Sequence, residues 1–150
     1  MDRQAFIDRG YAYDPETGVF TRRGKVVANR KGNGYVGIGR QYAHRLAWLC
    51  VHGRWHNGDI DHINRDKTDN RISNLRECSR SENQRNQGLT AANRSGFKGV
   101  CQRRGRWIAT IRDNGRYVYL GTFDKPEAAS LAYQDAAERL HGEFCFKEIR

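Results

Sequence analysis

The stretch that decides the fold is DIDHINRDKTDNRISNLRECSRSENQRN, residues 59–86. "DIDHI" at its start and "NLREC" near its end are typical of short strands, and the polar residues 64–73 between them are typical of a loop. "SRSE" then matches a capping box, with Ser79 as N-cap and Glu82 three residues later, which predicts a helix to about Asn86. The predicted order is therefore strand, loop, strand, helix.

This order places reactive side chains on neighbouring elements. Asp61 and His62 lie on the first strand, and Asn83 lies in the first turns of the helix. Carboxylate and amide oxygens suit a hard divalent cation, and an imidazole nearby can deprotonate a water. The stretch therefore predicts metal-assisted hydrolysis of a phosphodiester. Adjacent strand residues point to opposite faces, so Asp61 and His62 can share one phosphate only where the strand twists or ends.

Other interpretations of the stretch remain open. A calcium loop would need Gly at its sixth position and a distal Glu, whereas DKTDNR has Arg71 there. A zinc site needs three or four His or Cys ligands, and only His62 and Cys78 are close in sequence. The polar side chains could also be ordinary loop and cap groups.

Composition narrows the class of partner. The formal net charge is +10 and the pI is about 9.8, which favours a polyanion such as nucleic acid or an anionic membrane surface. No segment approaches the roughly 18 apolar residues of a spanning helix, and the N-terminus lacks the order of a signal peptide. We expect an intracellular protein that is not secreted and has no membrane partner. The four cysteines form no CxxC pair, which predicts reduced thiols and no structural zinc.

The residues before the stretch predict a small β-rich lead-in and one helix. GNGYVG, residues 32–37, matches GxGxxG, but a strand-like segment follows it, so a hairpin turn is the better interpretation. AHRLAWLCVHG, residues 43–53, has apolar residues at helical spacing and predicts a core helix. His44 and His52 flank this helix and are interpreted as packing or capping residues.

The spacing of apolar residues is different after the stretch. QGLTAANRSG, residues 87–96, is small and polar and is a candidate linker. GVCQRR, RWIATIRD and RYVYLGTF then predict three strands, and Asn114-Gly115 is a strong hairpin signal. Asp124 can cap a helix from about Lys125 to His141. Its predicted buried face consists of Ala128, Leu131, Ala132, Ala136 and Leu140.

Charge is unevenly distributed over these predicted elements. Residues 94–116 contain seven basic residues and one acid, whereas the helix that follows is more acidic. Trp107, Tyr117 and Tyr119 are interleaved with the arginines, which favours a sheet that faces phosphates. A solvated charged face is the alternative.

Asp61, His62, Asn74 and Asn83 resemble the HNH endonuclease motif in its His-Asn-Asn variant, found in phage and intron homing endonucleases. The similarity covers roughly residues 43–86. It implies a ββα-metal motif with His62 as general base, and with Asp61 and Asn83 as ligands of one divalent ion, usually Mg²⁺ or Mn²⁺. It implies Asn74 as the brace of the loop that holds His62. The other polar residues of the stretch are interpreted as loop or surface residues: Asp66, Asp69, Asn70 and Asn86.

Residues 95–144 resemble the ethylene-response-factor (Apetala-type) DNA-binding domain through "GV", "IRD", "YLGTF" and "EAASLAYQDAAERLHG". The resemblance implies a three-stranded antiparallel sheet, packed on one helix, that lies in the major groove of double-stranded DNA. Together with the charge pattern, it predicts a set of DNA-binding residues: Gln102, Arg103, Arg104, Arg106, Trp107, Thr110, Arg112, Tyr117 and Tyr119.

These patterns together predict an α+β chain with two domains. The nuclease domain spans residues 1–88, with the lead-in at 1–42 and the motif at about 43–88; a linker at 89–95 precedes the DNA-binding domain at 96–150. The predicted function is site-selective, homing-type DNA cleavage by a monomer or homodimer, in the host cytoplasm if the chain is phage-encoded. A DNA-binding regulator with an inactive nuclease site and an RNA-binding module are the alternatives.

Overall fold

The computed structural model of the chain describes residues 2–145. It divides into two compact units, with the division after Asn83. Both units mix helices with small antiparallel sheets, which confirms the α+β class. The domain boundaries at 88 and 96 stay a prediction, and the outermost parts of the predicted domains, Met1 and residues 146–150, lie outside the described residues. No helix within residues 2–145 is both long enough and apolar enough to cross a membrane.

The first unit contains three small sheets and three helices, the last of which, α3, ends in the second unit. The elements are α1 (Arg3–Asp8), β1 (Tyr11–Tyr13), β2 (Phe20–Arg22), β3 (Lys25–Val26), β4 (Asn29–Arg30), β5 (Val36–Ile38), β6 (Gln41–Tyr42), α2 (Ala43–His52), β7 (Asp59–His62), β8 (Leu75–Cys78) and α3 (Arg80–Asn86). The sheets have the strand orders β1-β2-β3, β4-β5-β6 and β7-β8.

The lead-in is β-rich as predicted, but it begins with a helix that the sequence patterns missed. In α1 the Asp2 side chain accepts a hydrogen bond from the Ala5 N–H at 2.8 Å and caps the first turn. Phe6 is fully buried, and its ring stacks on Tyr11 with 4.8 Å between centroids. Six residues are too few to show helical periodicity, so only the tertiary contact of Phe6 reveals this element.

The helix α2 confirms the predicted core helix. It ends at Gly53, whose φ of 69° allows its N–H to reach the Leu49 carbonyl. The residues of α2 that are buried are Ala43, His44, Leu46, Ala47, Trp48 and Leu49. Apart from His44, they pack with Phe6 of α1, Phe20 of β2 and Ile60 of β7 in a single core cluster, so α2 joins the lead-in to the strand that carries His62.

The stretch 59–86 folds in the predicted order. Strands β7 and β8 are antiparallel, and a 3₁₀ turn, Ile72–Asn74, precedes β8. The capping box of α3 is present: the Ser79 N–H donates to Glu82 Oε2 at 2.8 Å, and the Glu82 N–H donates to Ser79 Oγ at 3.3 Å. The GNGYVG segment is a hairpin turn between β4 and β5, as predicted.

The second unit is a three-stranded sheet on one helix. Its elements are β9 (Val100–Arg103), β10 (Arg106–Asp113), β11 (Arg116–Phe123) and α4 (Pro126–His141), with the antiparallel strand order β11-β10-β9. The turn between β10 and β11 has Asn114 at φ 45° and Gly115 at φ 83°, the positive values that a tight two-residue hairpin needs. The predicted hairpin is therefore confirmed.

The buried face of α4 differs from the predicted face. Leu131 is 61% exposed and Leu140 is 42% exposed, and Ala128 is exposed as well. The residues that α4 buries are Ala129, Ser130, Tyr133, Ala136, Ala137 and His141. Small alanines on this face let the helix approach the sheet closely, where Ala109 of β10 is fully buried. Close packing of α4 on the sheet is therefore favoured over burial of the larger apolar side chains of Leu131 and Leu140.

The start of α4 also differs from the prediction. The N-cap is Lys125 rather than Asp124, and no side chain caps the helix. Asp124 instead pairs with Arg106 at 3.0 Å in a solvent-exposed ion pair. Pro126 at the first helical position has no N–H to be capped, which reduces the need for a capping side chain.

The end of the predicted linker makes local hydrogen bonds within the second unit. Asn93 Nδ2 donates to the Phe97 carbonyl at 2.8 Å, and Ser95 Oγ donates to the Val100 carbonyl at 2.8 Å. Gly99 has φ 70°, and a side chain there would collide with the Tyr133 ring. These contacts tie residues 93–100 to the sheet and α4, so the segment is more ordered than its composition indicates.

Candidate active site and nucleic-acid interface

His62 is the last residue of β7 and is buried, with 4% of its surface exposed. Its Nε2 lies 3.3 Å from Oδ1 of Asn70. Asn70 uses its Nδ2 to donate to the Thr68 carbonyl at 2.9 Å, which turns its oxygen toward the imidazole. An amide oxygen only accepts hydrogen bonds, so this contact places the imidazole proton on Nε2. The basic lone pair of the neutral ring is then at Nδ1.

The interpretation of Asn86 as a loop or surface residue is wrong, because it is the last residue of α3, whereas Asn70 lies in the loop as interpreted but away from the surface. Both are buried, Asn70 with 3% and Asn86 with 4% exposure. Asn70 contacts His62 across eight residues of the loop, a contact that its sequence position does not reveal. Asp66 and Asp69 remain loop residues: Asp66 accepts a hydrogen bond from the Thr68 N–H, and Asp69 pairs with Arg71.

Aromatic rings surround His62. The ring centroid of His44 lies 5.1 Å away and that of Tyr35 lies 5.8 Å away. Burial lowers the pKa of His62, although the Asn70 hydrogen bond and the Asp61 carboxylate oppose this shift. Burial, and then the neighbouring His62, lower the pKa of His44 to about 3. Both imidazoles are therefore neutral at neutral pH.

His44 packs against His62, as its interpretation as a packing residue predicts, and also borders a cavity. Its ring is 6% exposed, and its buried Nδ1 has no hydrogen-bond partner among the described residues. The ring lines a cavity of about 200 Å³ together with Asp59 and Asn83. Tyr35, Tyr42 and Arg45 line the same cavity. Of the predicted site residues, Asn83 lines this cavity.

Asp61 makes an ion pair with Arg76, which lies opposite it on β8. Arg76 Nη2 and Nε both reach Asp61 Oδ2, at 2.8 Å and 3.0 Å. The two side chains are only 8% and 12% exposed, so the pair is shielded from water. Asp61 thus faces Arg76 while its neighbour His62 faces Tyr35 and His44, the divergence expected of consecutive strand residues.

Asn83 contacts a different acid. Its Nδ2 donates to Asp59 Oδ2 at 3.2 Å, and among the described residues it makes no hydrogen bond with Asp61. Asp59 and Asp61 alternate along β7 and therefore belong to the same face of the strand. Asn83 therefore contacts the strand that carries Asp61, but it does so through Asp59. The Asp59 carboxylate is a further oxygen donor that the sequence patterns did not indicate.

Asp59 and Asp61 of β7 and Asn83 of α3 offer carboxylate and amide oxygens, the donor types that a hard cation prefers. Within residues 2–145, no three His, Cys, Asp or Glu side chains converge to hold a metal ion. A cation site on this face of β7 would therefore need the amide oxygen of Asn83 as well as carboxylate oxygen. An oxygen-only donor set suits Mg²⁺ or Mn²⁺ better than zinc, which is usually bound through sulfur and nitrogen.

Asn74 closes the loop between β7 and β8. Its Oδ1 accepts from the Asn64 N–H at 3.0 Å, and its Nδ2 donates to Asn64 Oδ1 and to the Asp69 carbonyl, each at 2.9 Å. Its backbone carbonyl also accepts from the Ile63 N–H at 2.9 Å. The side chain is buried and bonds to both ends of the loop that follows His62. These are the contacts of a brace.

One face of the β9-β10-β11 sheet is open to solvent. The pairing of strands places opposite residues on the same side, so Arg103 and Arg106 share a face, as do Arg112 and Tyr117. Tyr117 is 77% exposed, and the Arg112 guanidinium lies 5.8 Å from its ring centroid. The predicted DNA-binding residues on this open face are Arg103, Arg106, Thr110, Arg112, Tyr117 and Tyr119. Arg104 lies in the turn between β9 and β10.

Two predicted DNA-binding residues lie on the other face. Trp107 packs with Val100, Ala109 and Ala129 in the core between sheet and helix. Gln102 is paired with Trp107 and shares its side of the sheet, although it is exposed. Trp107 directly follows a segment with three arginines, Arg103, Arg104 and Arg106, which made it resemble a surface aromatic in sequence. The open face is therefore basic and carries tyrosines, but not this tryptophan.

Comparison with known families assigns both units. The model of the HNH endonuclease family matches residues 41–85, and the model of the AP2 domain matches residues 95–143. The chain joins an HNH domain to an AP2 domain. The HNH match includes Asp61, His62, Asn74 and Asn83 and supports a nuclease.

Plant transcription factors are similar to the AP2 domain. Dehydration-responsive element-binding protein 2D of Arabidopsis thaliana is 49% identical over 49 residues, which are 31% of this chain and 24% of that protein. Ethylene-responsive transcription factor ERN3 of Medicago truncatula is 42% identical over 65 residues, 41% of this chain and 27% of that protein. Ethylene-responsive transcription factor ERF084 of Arabidopsis thaliana is 56% identical over 50 residues, 31% and 20% of the two chains. The chain thus spans about a quarter or less of these relatives.

Sequence reasoning missed four residues of the first unit that lie at or beside the candidate site: Tyr35, His44, Asp59 and Asn70. Asp59 is two residues before Asp61, so strand alternation could have found it. His44 and Tyr35 lie on α2 and just before β5, and only tertiary packing brings them to His62. Asn70 lies among other polar loop residues, and nothing in its spacing distinguishes it from them.

We predict that Asn74→Ala destabilises the HNH domain by about 2 to 3 kcal/mol, because three side-chain hydrogen bonds at about 1 kcal/mol each are lost. Urea unfolding of the full chain followed by circular dichroism measures this. Asn57→Ala, at an exposed asparagine of the same domain, should change stability by less than about 0.5 kcal/mol. Equal effects of the two substitutions would contradict the role of Asn74 as a brace.

We predict that His44 makes the HNH domain lose stability in acid. Its folded pKa of about 3 is below the unfolded value of about 6.5, so the unfolded chain binds the proton in between. The unfolding free energy should fall as pH decreases below about 6.5, by up to about 2 kcal/mol from this residue at pH 5. His44→Phe should lack that part of the pH dependence in urea unfolding at pH 7 and pH 5. A variant with the wild-type pH dependence would contradict the assignment.

Proposed function

We propose that the chain is a metal-dependent, site-selective DNA endonuclease of the homing type, in which His62 is the general base. The observation that carries this proposal is the buried, neutral His62 held at Nε2 by Asn70, on the strand that also carries Asp59 and Asp61. A neutral imidazole whose proton is fixed on one nitrogen can take a proton from water at the other. The match to HNH endonucleases supports the same chemistry.

Asn70 has a defined part in the proposed reaction. Its oxygen orients the imidazole and stabilises the positive charge that forms when His62 takes the proton. Asn74 acts one step further away, because it holds the loop on which Asn70 lies. Burial keeps His62 unprotonated, so the base is available without a large pH rise.

Asp61 and Asn83 would hold one divalent ion, Mg²⁺ or Mn²⁺, through oxygen atoms. HNH nucleases generally use such an ion. When bound, it would stabilise the negative charge on the scissile phosphate and on the departing 3′ oxygen. The Arg76 guanidinium on Asp61 holds that carboxylate in place and adds a positive charge near the site.

The AP2 domain would direct the nuclease to its target. The open face of the sheet presents arginines that can neutralise phosphates and tyrosines and a threonine that can contact bases. The relatives that match this domain are named as element-binding proteins and transcription factors. Because the two domains are tethered, binding of the AP2 domain to double-stranded DNA raises the effective concentration of the nuclease at that DNA. This would take place inside the cell that contains the target. A monomer would nick one strand, and a homodimer could cut both.

A DNA-binding regulator with an inactive nuclease site is the second candidate. One contact favours it: Asp61 is already bonded to Arg76, so a cation there must share the carboxylate with a guanidinium. The two candidates agree on DNA binding and differ only in whether a phosphodiester is cleaved.

We predict that, in the presence of Mg²⁺ or Mn²⁺, the chain cleaves supercoiled plasmid or phage DNA that contains its target site. His62→Ala should lower the cleavage rate at least about 100-fold, which is the lower end of the range for loss of a general base. Gel analysis of nicked and linear products measures the rate. His52→Ala is the matched control, since His52 is exposed at the end of α2. Equal cleavage by wild type and His62→Ala, or none with any divalent ion, would favour the regulator.

We predict that Arg103→Ala and Arg112→Ala each reduce the slope of log binding constant against log salt concentration by about 0.9, the contribution of one phosphate contact. Binding titrations of labelled duplex at several salt concentrations measure the slope. Arg139→Ala, on the exposed side of α4, should leave it unchanged. Unchanged slopes in both sheet variants would exclude the open face as the DNA anchor.

A further inference from the structure

The contact between Asp59 and Asn83 joins the start of β7 to the first turn of α3. Asn83 Nδ2 donates to Asp59 Oδ2 at 3.2 Å, across 24 residues of sequence. Both side chains line the cavity of about 200 Å³ that His44 also lines. Asp59 is half-buried, so the contact lies at the wall of the cavity and not on the open surface.

The chemistry of the two groups determines how the amide is turned. An ionised carboxylate only accepts hydrogen bonds, so it selects the Nδ2 end of the Asn83 amide. The Oδ1 end then points away from Asp59. An asparagine can bind a cation only through that oxygen, because its NH₂ group is a donor without a free lone pair. The contact with Asp59 therefore leaves Oδ1 as the end of the Asn83 amide that could meet a cation.

We propose that Asp59 is a positioning residue for the cation site: it orients the amide oxygen of Asn83 without itself binding the ion. This inference rests on the proposed function, in which Asn83 is a ligand. Partners that orient metal ligands in this way commonly change metal affinity 10- to 100-fold when they are removed. The charge of Asp59 is a second way in which it could act, because a carboxylate close to the site attracts a cation.

Two substitutions separate orientation from charge and from direct ligation. Asp59→Ala removes the hydrogen-bond acceptor, whereas Asp59→Asn keeps an acceptor oxygen at the same position and removes the charge. If Asp59 orients Asn83, the Asn variant keeps most of the affinity and the Ala variant does not. If Asp59 acts by charge or binds the ion itself, both variants lose affinity to a similar extent.

The experiment measures Mn²⁺ binding to the full chain without DNA, by electron paramagnetic resonance of the free ion. We expect Asp59→Ala to weaken binding at least about 10-fold and Asp59→Asn to weaken it less than about threefold. Glu16→Ala, which removes one exposed negative charge from the same unit, should match the wild type. Circular dichroism verifies that each variant is folded.

A double-mutant cycle with Asn83→Ala tests whether Asp59 acts through Asn83. We expect Asp59→Ala to have no further effect once Asn83 is alanine, because no amide remains to be oriented. Additive losses, or equal losses in Asp59→Ala and Asp59→Asn, would overturn the inference while leaving the nuclease proposal intact, as would wild-type affinity in Asp59→Ala. A wild-type chain that binds no Mn²⁺ and does not cleave DNA would overturn both.

Discussion

The hydrogen bonds of the Asn74 side chain are the constraint on which the surroundings of His62 depend. They tie Asn64 and the Asp69 carbonyl to the turn before β8, so the polar loop after His62 has one conformation. Asn70 lies on that loop and holds His62. A loop of this composition would otherwise have many conformations of similar energy, because its side chains can bond to water equally well. One buried asparagine thus determines the position of His62 through a second asparagine.

Burial gives the site its electrostatic character. His62 and His44 lie among tyrosine rings, and loss of hydration disfavours the charged form of both imidazoles. The acids Asp59 and Asp61 lie on the same strand, where each has a donor, Asn83 or Arg76. The domain therefore places a neutral imidazole beside carboxylates on one short strand. This separation of roles follows from strand alternation, which directs neighbouring residues to different surroundings.

Packing in the second unit decides which sheet face can meet DNA. The small residues Ala129, Ala136 and Ala137 allow α4 to cover one face closely, and Trp107 and Phe123 complete that core. Tyr117 lies on the other face together with Arg103, Arg106 and Arg112. Their positions alternate along the strands with those of the residues that pack against α4. The basic surface is thus a consequence of where the helix packs. The exposed ion pair between Arg106 and Asp124 contributes little to this arrangement.

The sequence by itself determined the elements whose signals are local: the strand, loop, strand, helix order of residues 59–86, the Ser79 capping box and the Asn114-Gly115 hairpin. It also identified Asp61, His62, Asn74 and Asn83 as the side chains to consider. Only the tertiary structure decided their partners, the buried face of α4 and the sides of the sheet on which Gln102 and Trp107 lie. Capping and turn signals occupy a few consecutive residues, whereas Asn70 with His62, Asp59 with Asn83 and Asp61 with Arg76 meet only when separate elements pack together.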